Sequence, residues 1–365
     1  MRVVFRVDAS IDIGTGHVMR CLALAEKLRV GGADCEFICR EHKGNLIDLV
    51  KQKGFHVESL RRPRTPNMLS FACKGDHADW LGCSWQEDAK ECLDKLTHNS
   101  DWLVVDHYGL DTAWENELRK KCRRSLCIDD LADRAHRCEL LLDQTLERDS
   151  DHYDNFVNGK TKKLIGPKYA LLRGEFSDFR KKSLARRQFP KLRHIFLSMG
   201  GVDRDNFTTR ILLSLKKCSI KSLEKITVIM GHQSMWQSEI RETVAGMTTP
   251  TILMTAVDNI AEIMSECDLA IGASGITTWE RCSLGIPSIQ ISVVKNQDLI
   301  CHAIEASGAS KTCKPYQIEK MFCNIVSEVS SVSALKTMSK KARNITDGKG
   351  ATRVAKIMFG IQNEN

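Results

Sequence analysis

The chain has 365 residues, more than a single hydrophobic core usually serves, so two domains of roughly 150–200 residues each are expected. Hydrophobic residues make up 42% and charged residues 27%, with 7 prolines, which excludes a disordered or low-complexity chain. The net charge of +8 attracts anions, but the cations are spread over helix faces without interleaved aromatics, so no nucleic-acid partner is expected.

The longest uncharged runs, Met247 to Val257 and Ser283 to Val294, are too short for a membrane span, and the N-terminus shows no signal-peptide cleavage pattern. A cytoplasmic monomer is the expectation. None of the 15 cysteines forms a Cys-x-x-Cys pair and many occupy apolar positions, so they read as small buried hydrophobes, with neither structural disulfides nor zinc expected. Scattered histidines give no metal-ligand pattern, and no metal or cofactor is expected.

In chain order, the apolar run Val3 to Val7 predicts a strand that feeds Gly14-Thr15-Gly16-His17-Val18-Met19-Arg20, where a glycine loop meets a helix over His17 to Val30. Met19 stands where a dinucleotide fingerprint needs its third glycine, so hydride transfer is a poor reading and His17 is the feature to explain. A histidine at a helix N-terminus is disfavoured as imidazolium and can accept a proton, which makes His17 a candidate base; a capping role is the alternative.

Strands at Asp34 to Cys39, Trp102 to Asp106, Ser125 to Asp129, Leu140 to Asp143 and Lys163 to Ile165 alternate with helices near Asn45 to Lys53, Gln86 to Leu96 and Ala113 to Cys122. That alternation is the pattern of a parallel sheet, and it assigns residues 1–175 to a first Rossmann-like domain. The polar stretch with Arg180, Lys181, Lys182, Arg186 and Arg187 predicts a linker over 176–193.

A second series begins at His194 to Ser198 and continues with strands at Ile226 to Met230, Thr251 to Met254, Leu269 to Ile271 and Ser288 to Ile291. Helices near Pro315 to Val329, Val332 to Asn344 and Ala351 to Ile361 close a second domain over 194–365, the last expected to cross back to the first. The fold class predicted is α/β, two doubly wound Rossmann-like domains facing a cleft.

Within the second series, Met199-Gly200-Gly201-Val202-Asp203 follows a strand and precedes a helix, the makings of a phosphate cradle from backbone amides. Ile271-Gly272-Ala273-Ser274-Gly275 repeats the arrangement, with Glu280 in the following helix placed to accept from a ribose diol, or simply to serve as a favourable first-turn acid. Asn296 and Gln297 open the next helix and offer amides to sugar hydroxyls, although capping explains Asn296 equally well.

Taken together, Arg6-x-Asp8-Ala9-Ser10, the stretch Ile13 to Leu22, Val105-Asp106-His107-Tyr108, Ile128-Asp129-Asp130, Gly166-Pro167-x-Tyr169, Ser198 to Asp203 and Gly272 to Pro287 resemble the UDP-sugar hydrolases of bacterial pseudaminic acid biosynthesis, which act on UDP-2,4-diacetamido-2,4,6-trideoxy-β-L-altropyranose. The resemblance covers nearly the whole chain. Its second-domain motifs are shared with the peptidoglycan N-acetylglucosaminyltransferase and related GT-B enzymes.

The resemblance implies a GT-B fold, a UDP-sugar substrate with UDP as product, and inverting, metal-independent hydrolysis with His17 as the base that activates water. It places Asp8, Gly16, Arg20, Tyr108, Asn296 and Gln297 at the sugar. Gly200, Gly201, Ser274 and Gly275 would hold the diphosphate, Val257 would present backbone groups to uracil, and Glu280 would bind ribose. A glycosyltransferase using the same UDP cradle, or a noncatalytic nucleotide-sugar binder, would carry many of the same residues. Arg61 to Asp88 reads as an inserted, poorly periodic segment to which the resemblance gives no role.

Overall fold

A computed structural model describes residues 1–62, 77–231, 234–255, 257–293 and 297–363. The chain forms two compact units, Met1–Leu171 with Ala351–Asn365, and Leu172–Gly350.

The first unit is a seven-stranded, wholly parallel sheet built from β1 (Arg2–Val7), β2 (Asp34–Arg40), β3 (His56–Leu60), β4 (Ser100–Asp106), β5 (Cys122–Ile128), β6 (Leu140–Asp143) and β7 (Lys162–Ile165). Their order in the sheet is β3-β2-β1-β4-β5-β6-β7. Helices α1 (Gly16–Val30), α2 (Ile47–Gln52), α3 (Trp85–Lys95) and α4 (Thr112–Leu118) connect the strands. Central strands of such a sheet are covered on both faces, which is why β1 is apolar from Val3 to Val7 except at Arg6, itself buried and paired with Asp8. Val3, Phe5 and Val7 pack into one core with Leu24 and Leu28 of α1 and with Val354 and Met358 of the closing segment. Val4 faces the opposite core, with Trp114 and Leu118 of α4.

The second unit opens with α5 (Gly174–Asp178) and α6 (Arg180–Arg186), followed by β8 (His194–Ser198), α7 (Phe207–Lys217), β9 (Lys225–Met230), α8 (Gln237–Ala245), β10 (Thr251–Thr255), α9 (Ile260–Ser265), β11 (Leu269–Ala273), α10 (Ile276–Ser283), β12 (Ser288–Ile291), α11 (Asp298–Ala306), β13 (Ser310–Cys313), α12 (Ile318–Val329) and α13 (Val332–Ile345). Its six parallel strands run β10-β9-β8-β11-β12-β13. The last helix, α14 (Gly350–Asn363), buries Ala351, Val354, Ala355 and Met358 in the core of the first unit. Among the described residues, no helix is long and apolar enough to cross a membrane.

Two sequence expectations are corrected and two strands are added. The polar stretch at 176–193 is not a free linker, because its arginines cap carbonyl ends of the second unit. Arg180 donates to the carbonyls of Ser283, Arg343 and Thr346, and Arg187 to those of Ser183 and Cys267. Strands β3 and β13 escape the apolar-run criterion because both are sheet edges, with the mixed sequences HVESL and SKTC. A disulfide joins Cys218, at the end of α7, to Cys323 of α12, where packing of the two helices brings the Cα atoms to 5.2 Å. Sequence separation of 105 residues hides such a pair from any motif.

Candidate active site

In an open parallel sheet, ligands bind at the carboxyl ends of the strands where the strand order reverses direction. That reversal falls between β1 and β4 in the first unit and between β8 and β11 in the second. His17 follows β1, and Asp106 ends β4. Gly200 and Gly201 follow β8, and Ser274 and Gly275 follow β11. The three glycine motifs singled out in the sequence therefore lie at the switch points of their own sheets.

A tight turn after β1 brings α1 over the strand ends. The Gly14 amide donates to the Ser10 carbonyl at 2.9 Å, and the amides of Asp12 and Ile13 donate to the Ser10 hydroxyl at 3.1 and 2.9 Å. Gly14 sits at φ +80°, a conformation glycine adopts without strain. Thr15, the N-cap of α1, makes no side-chain cap, so His17 stands in an uncapped first turn.

His17 Nδ1 lies 2.6 Å from Asp106 Oδ1. Arg20, one turn further along α1, donates from Nε to Asp106 Oδ2 at 2.6 Å and from Nη2 to Oδ1 at 2.7 Å, and its Nη1 reaches Asp130. Burial alone would raise the Asp106 carboxyl, but Arg20 and then His17 hold it well below the usual carboxylate range, so it is ionised. An ionised acceptor at Nδ1 fixes the proton there and leaves the Nε2 lone pair as the basic atom; this tautomer is assigned from the geometry.

Tyr108 stands edge-on to His17 with ring centroids 4.7 Å apart, and its hydroxyl donates to Asp130 at 3.1 Å. Burial, reinforced by Asp130, pushes the phenol well above its ordinary value, so it remains a donor. Sequence reasoning gave no role to Asp106 or Asp130. The signal available was positional: both lie at the carboxyl ends of strands on one side of the switch point.

Asp8, expected at the sugar, is instead enclosed. Its side chain has no exposed surface, pairs with Arg6 at 2.7 Å and accepts the Arg40 amide at 2.7 Å. Its carboxyl is held well below the ordinary range, burial being outweighed by Arg6, His42 and His107. Asp8 thus braces the strand ends rather than offering a surface contact. Gly16 is the half-buried first residue of α1.

Close approach of backbones shapes the second unit's switch point. A Cβ on Gly231, just after β9, would lie 1.9 Å from the Gly201 carbonyl oxygen, and one on Gly272 would lie 2.4 Å from that of Ser198. Gly200 has φ +89°. The cradle expected at α7 is largely filled by the chain itself, since Asp203 accepts the amides of Phe207 and Thr208 at 2.9 and 3.0 Å and Asn206 accepts that of Thr209 at 3.3 Å. What remains after β8 is the Gly200-Gly201 backbone.

Helix α10 is the more open terminus. Gly275 precedes it at φ +142°, a conformation that favours glycine, and its amide donates to the Thr278 hydroxyl at 3.3 Å. The first-turn amides of Ile276 and Thr277 carry the positive end of the helix dipole. Ser274, expected to face phosphate, turns its hydroxyl inward to Gln290 and to Cys301 Sγ, the latter at 2.8 Å. Beneath the loop, buried Arg281 donates to the Ala273 carbonyl at 3.0 Å and the Thr278 hydroxyl at 3.2 Å; burial brings its pKa down to about 10, still cationic at neutral pH.

Glu280 is largely buried on α10, 3.5 Å from Arg173. Its pKa is raised by burial, against the opposing pull of Arg173 and then Arg281. Val257 is half-buried just beyond β10. Gln297 stands at the N-cap of α11 and accepts the Val293 amide at 3.1 Å, while Asn296 lies outside the described residues. Among the described residues, one group has metal-ligand proximity, Glu115, Cys127 and His136. There the Cys127 thiol and His136 Nδ1 both meet Glu115 Oε1, at 2.9 and 2.7 Å, which makes it a hydrogen-bonded core cluster.

The two doubly wound units define a GT-B fold. The crystal structure of Acinetobacter baumannii MurG superposes with a TM-score of 0.66 at 15% identity, over 98% of this chain and 99% of that one. Residues 195–356 match the glycosyltransferase family 28 C-terminal domain. The resemblance read from the motifs is borne out by similarity to the UDP-2,4-diacetamido-2,4,6-trideoxy-β-L-altropyranose hydrolase of Campylobacter jejuni, 26% identical over 300 residues, covering 82% of this chain and 94% of the hydrolase. An uncharacterized protein of Methanocaldococcus jannaschii is 23% identical over 79% of this chain, which spans 55% of that relative's length.

Proposed function

We propose that this protein hydrolyses UDP-2,4-diacetamido-2,4,6-trideoxy-β-L-altropyranose, releasing UDP with inversion at the anomeric carbon, a step of pseudaminic acid biosynthesis. The observation that carries the reading is the ionised Asp106 on His17 Nδ1, which leaves Nε2 as a directed base at the switch point of the first sheet. The relative named for this hydrolysis supplies the substrate.

In the step proposed, a water oxygen bonds to the anomeric carbon as the bond from that carbon to the UDP oxygen breaks. The bonding pair leaves with UDP, and His17 Nε2 takes the proton of the attacking water. The resulting imidazolium is stabilised by Asp106, as in a histidine–carboxylate pair of hydrolases generally. UDP is a good leaving group, so its developing charge needs fixed donors more than an acid; the Gly200-Gly201 backbone and the uncapped amides of α10, with Arg281 beneath, are the groups assigned to it. Tyr108 and Arg20 position the sugar, Glu280 the ribose, and Val257 the uracil.

The test is an NMR time course on that UDP-sugar with no acceptor added. Release of UDP together with the inverted free sugar establishes hydrolysis. The match of 195–356 to a glycosyltransferase domain favours a second reading, transfer to an acceptor hydroxyl; UDP released only when an acceptor is supplied would establish that instead.

A further inference from the structure

The segment that follows β3 carries a motif the proposed chemistry does not use. His77 precedes a short 3-10 turn, Ala78–Leu81, that presents Trp80 beside the catalytic pair. The Trp80 and Tyr108 rings lie 5.6 Å apart with planes 25° from parallel, and His77 closes on both, at 4.4 and 5.4 Å. His17 meets Tyr108 and Trp80 edge-on, at 4.7 and 6.2 Å. The four rings therefore form one continuous aromatic surface with the candidate base at its edge. All four are only partly buried, so each keeps some exposed surface.

This surface is held rigidly. Leu81, next to Trp80, is fully buried in the core, and Gly82 ends the turn in the left-handed region at φ +73°. Ser84 and Glu87 then form a reciprocal cap that starts α3. On α3, fully buried Asp88 receives Arg6 (3.1 and 2.6 Å), Arg40 (2.7 Å) and the Trp114 indole (3.0 Å), which knots the segment to the ends of β1 and β2. A Cβ on Gly109 would come 3.2 Å from the His77 carbonyl oxygen, so glycine there lets His77 seat against the loop after β4.

We propose that Trp80 and His77, with Tyr108, form the platform on which the sugar of the nucleotide-sugar lies, and that they select sugars with an apolar face, that is deoxy and N-acylated sugars whose methyl groups cover the rings. This rests on the reading of His17 as the base. Rings of this size contribute large apolar contact at little entropic cost, and a methyl-bearing sugar covers them where a fully hydroxylated one would strip water from its hydroxyls. Trp80 and His77 are thus positioning and specificity residues.

The test is calorimetric binding in a His17→Ala background, so that substrate survives, using UDP and the UDP-linked 2,4-diacetamido-2,4,6-trideoxy sugar. Trp80→Ala is expected to weaken binding of the UDP-sugar about tenfold and leave UDP affinity unchanged, with Trp80→Phe restoring most of the loss. In otherwise wild-type enzyme, Trp80→Ala raises KM more than it lowers kcat. His77→Ala shows a smaller effect in the same direction. Unchanged UDP-sugar affinity in Trp80→Ala, or equal weakening of UDP, overturns the platform. Absence of hydrolysis by the wild type, with sugar affinity still dependent on Trp80, overturns the hydrolase reading and leaves the platform standing.

Discussion

Asp106 is shared between His17 and Arg20: one of its oxygens lies 2.6 Å from the imidazole Nδ1, and the other receives the guanidinium Nε at the same distance. The two partners are three residues apart on α1 and so project from the same helix face. A fully buried carboxylate with two fixed partners has one orientation, and the imidazole inherits it. Asp106→Asn is expected to keep the fold and nucleotide affinity but lower kcat about 100-fold or more, because an amide no longer dictates which nitrogen carries the proton. Steady-state kinetics beside calorimetric UDP binding check this, and a kcat within a few-fold of wild type would remove Asp106 from the mechanism.

His17→Ala is expected to retain UDP affinity and lose turnover by roughly 100-fold or more. Near-normal turnover would sink the assignment of the base.

The first unit's stability follows pH in two opposed directions. The carboxyls of Asp8, Asp88 and Asp106 are held low by arginines against their burial, so their contribution is complete above the ordinary carboxylate range, near pH 4, and is lost as pH falls towards their folded values. Asp143 behaves oppositely, since burial and then Asp130 raise it to about 6 and its protonated form is favoured in the fold. Between about pH 6 and 4, falling pH therefore adds stability through Asp143 while buried His107, held down to about 3, takes stability away, and below about pH 4 the three low carboxyls take away more. Asp143→Asn isolates this contribution: the melting temperature of wild type relative to the variant is expected to rise as pH falls from about 6 to 4, and a difference that stays level across that range contradicts the assignment.

Gly231→Ala tests the shape of the second switch point. The added methyl has no place 1.9 Å from a backbone oxygen, so the Gly201 loop must move. The expected outcome is a loss of about 3 kcal/mol in stability and at least about tenfold in UDP affinity. Denaturant titration and calorimetry measure the two effects, and unaltered UDP affinity would show that the Gly200-Gly201 loop does not hold the nucleotide.

Ser274 and Glu280 should separate structural from ligand contacts on one helix. The Ser274 hydroxyl points to Gln290, so Ser274→Ala costs about 1 kcal/mol of stability and changes UDP affinity less than about twofold. Glu280 is a buried acid whose charge the fold disfavours, so Glu280→Gln leaves the melting temperature level or higher while UDP binding weakens about tenfold. The reverse pattern in either variant would exchange their roles.

Much of this organisation was legible in the sequence because it rests on local rules. The run Val3 to Val7 had to be a covered central strand, and Gly14 to Gly16 before an amphipathic stretch had to be a turn opening a helix. Strand order could not be read locally, yet it is strand order that makes His17 and Asp106 neighbours, 89 residues apart. The arginines of 180–187 were misjudged for a related reason: a cation that caps a distant carbonyl looks the same in sequence as one facing water.

By itself, the sequence determined the two alternating series, the glycine loops after β1, β8 and β11, and the candidate base, since periodicity and backbone freedom are properties of neighbouring residues. Only the tertiary structure decided which atoms those loops leave free. It turned Asp8 and the Ser274 hydroxyl inward, spent the first amides of α7 on Asp203 and Asn206, and brought Trp80 and Asp106 to His17. Desolvation and long-range pairing act between parts of the chain that only the packed sheets bring together.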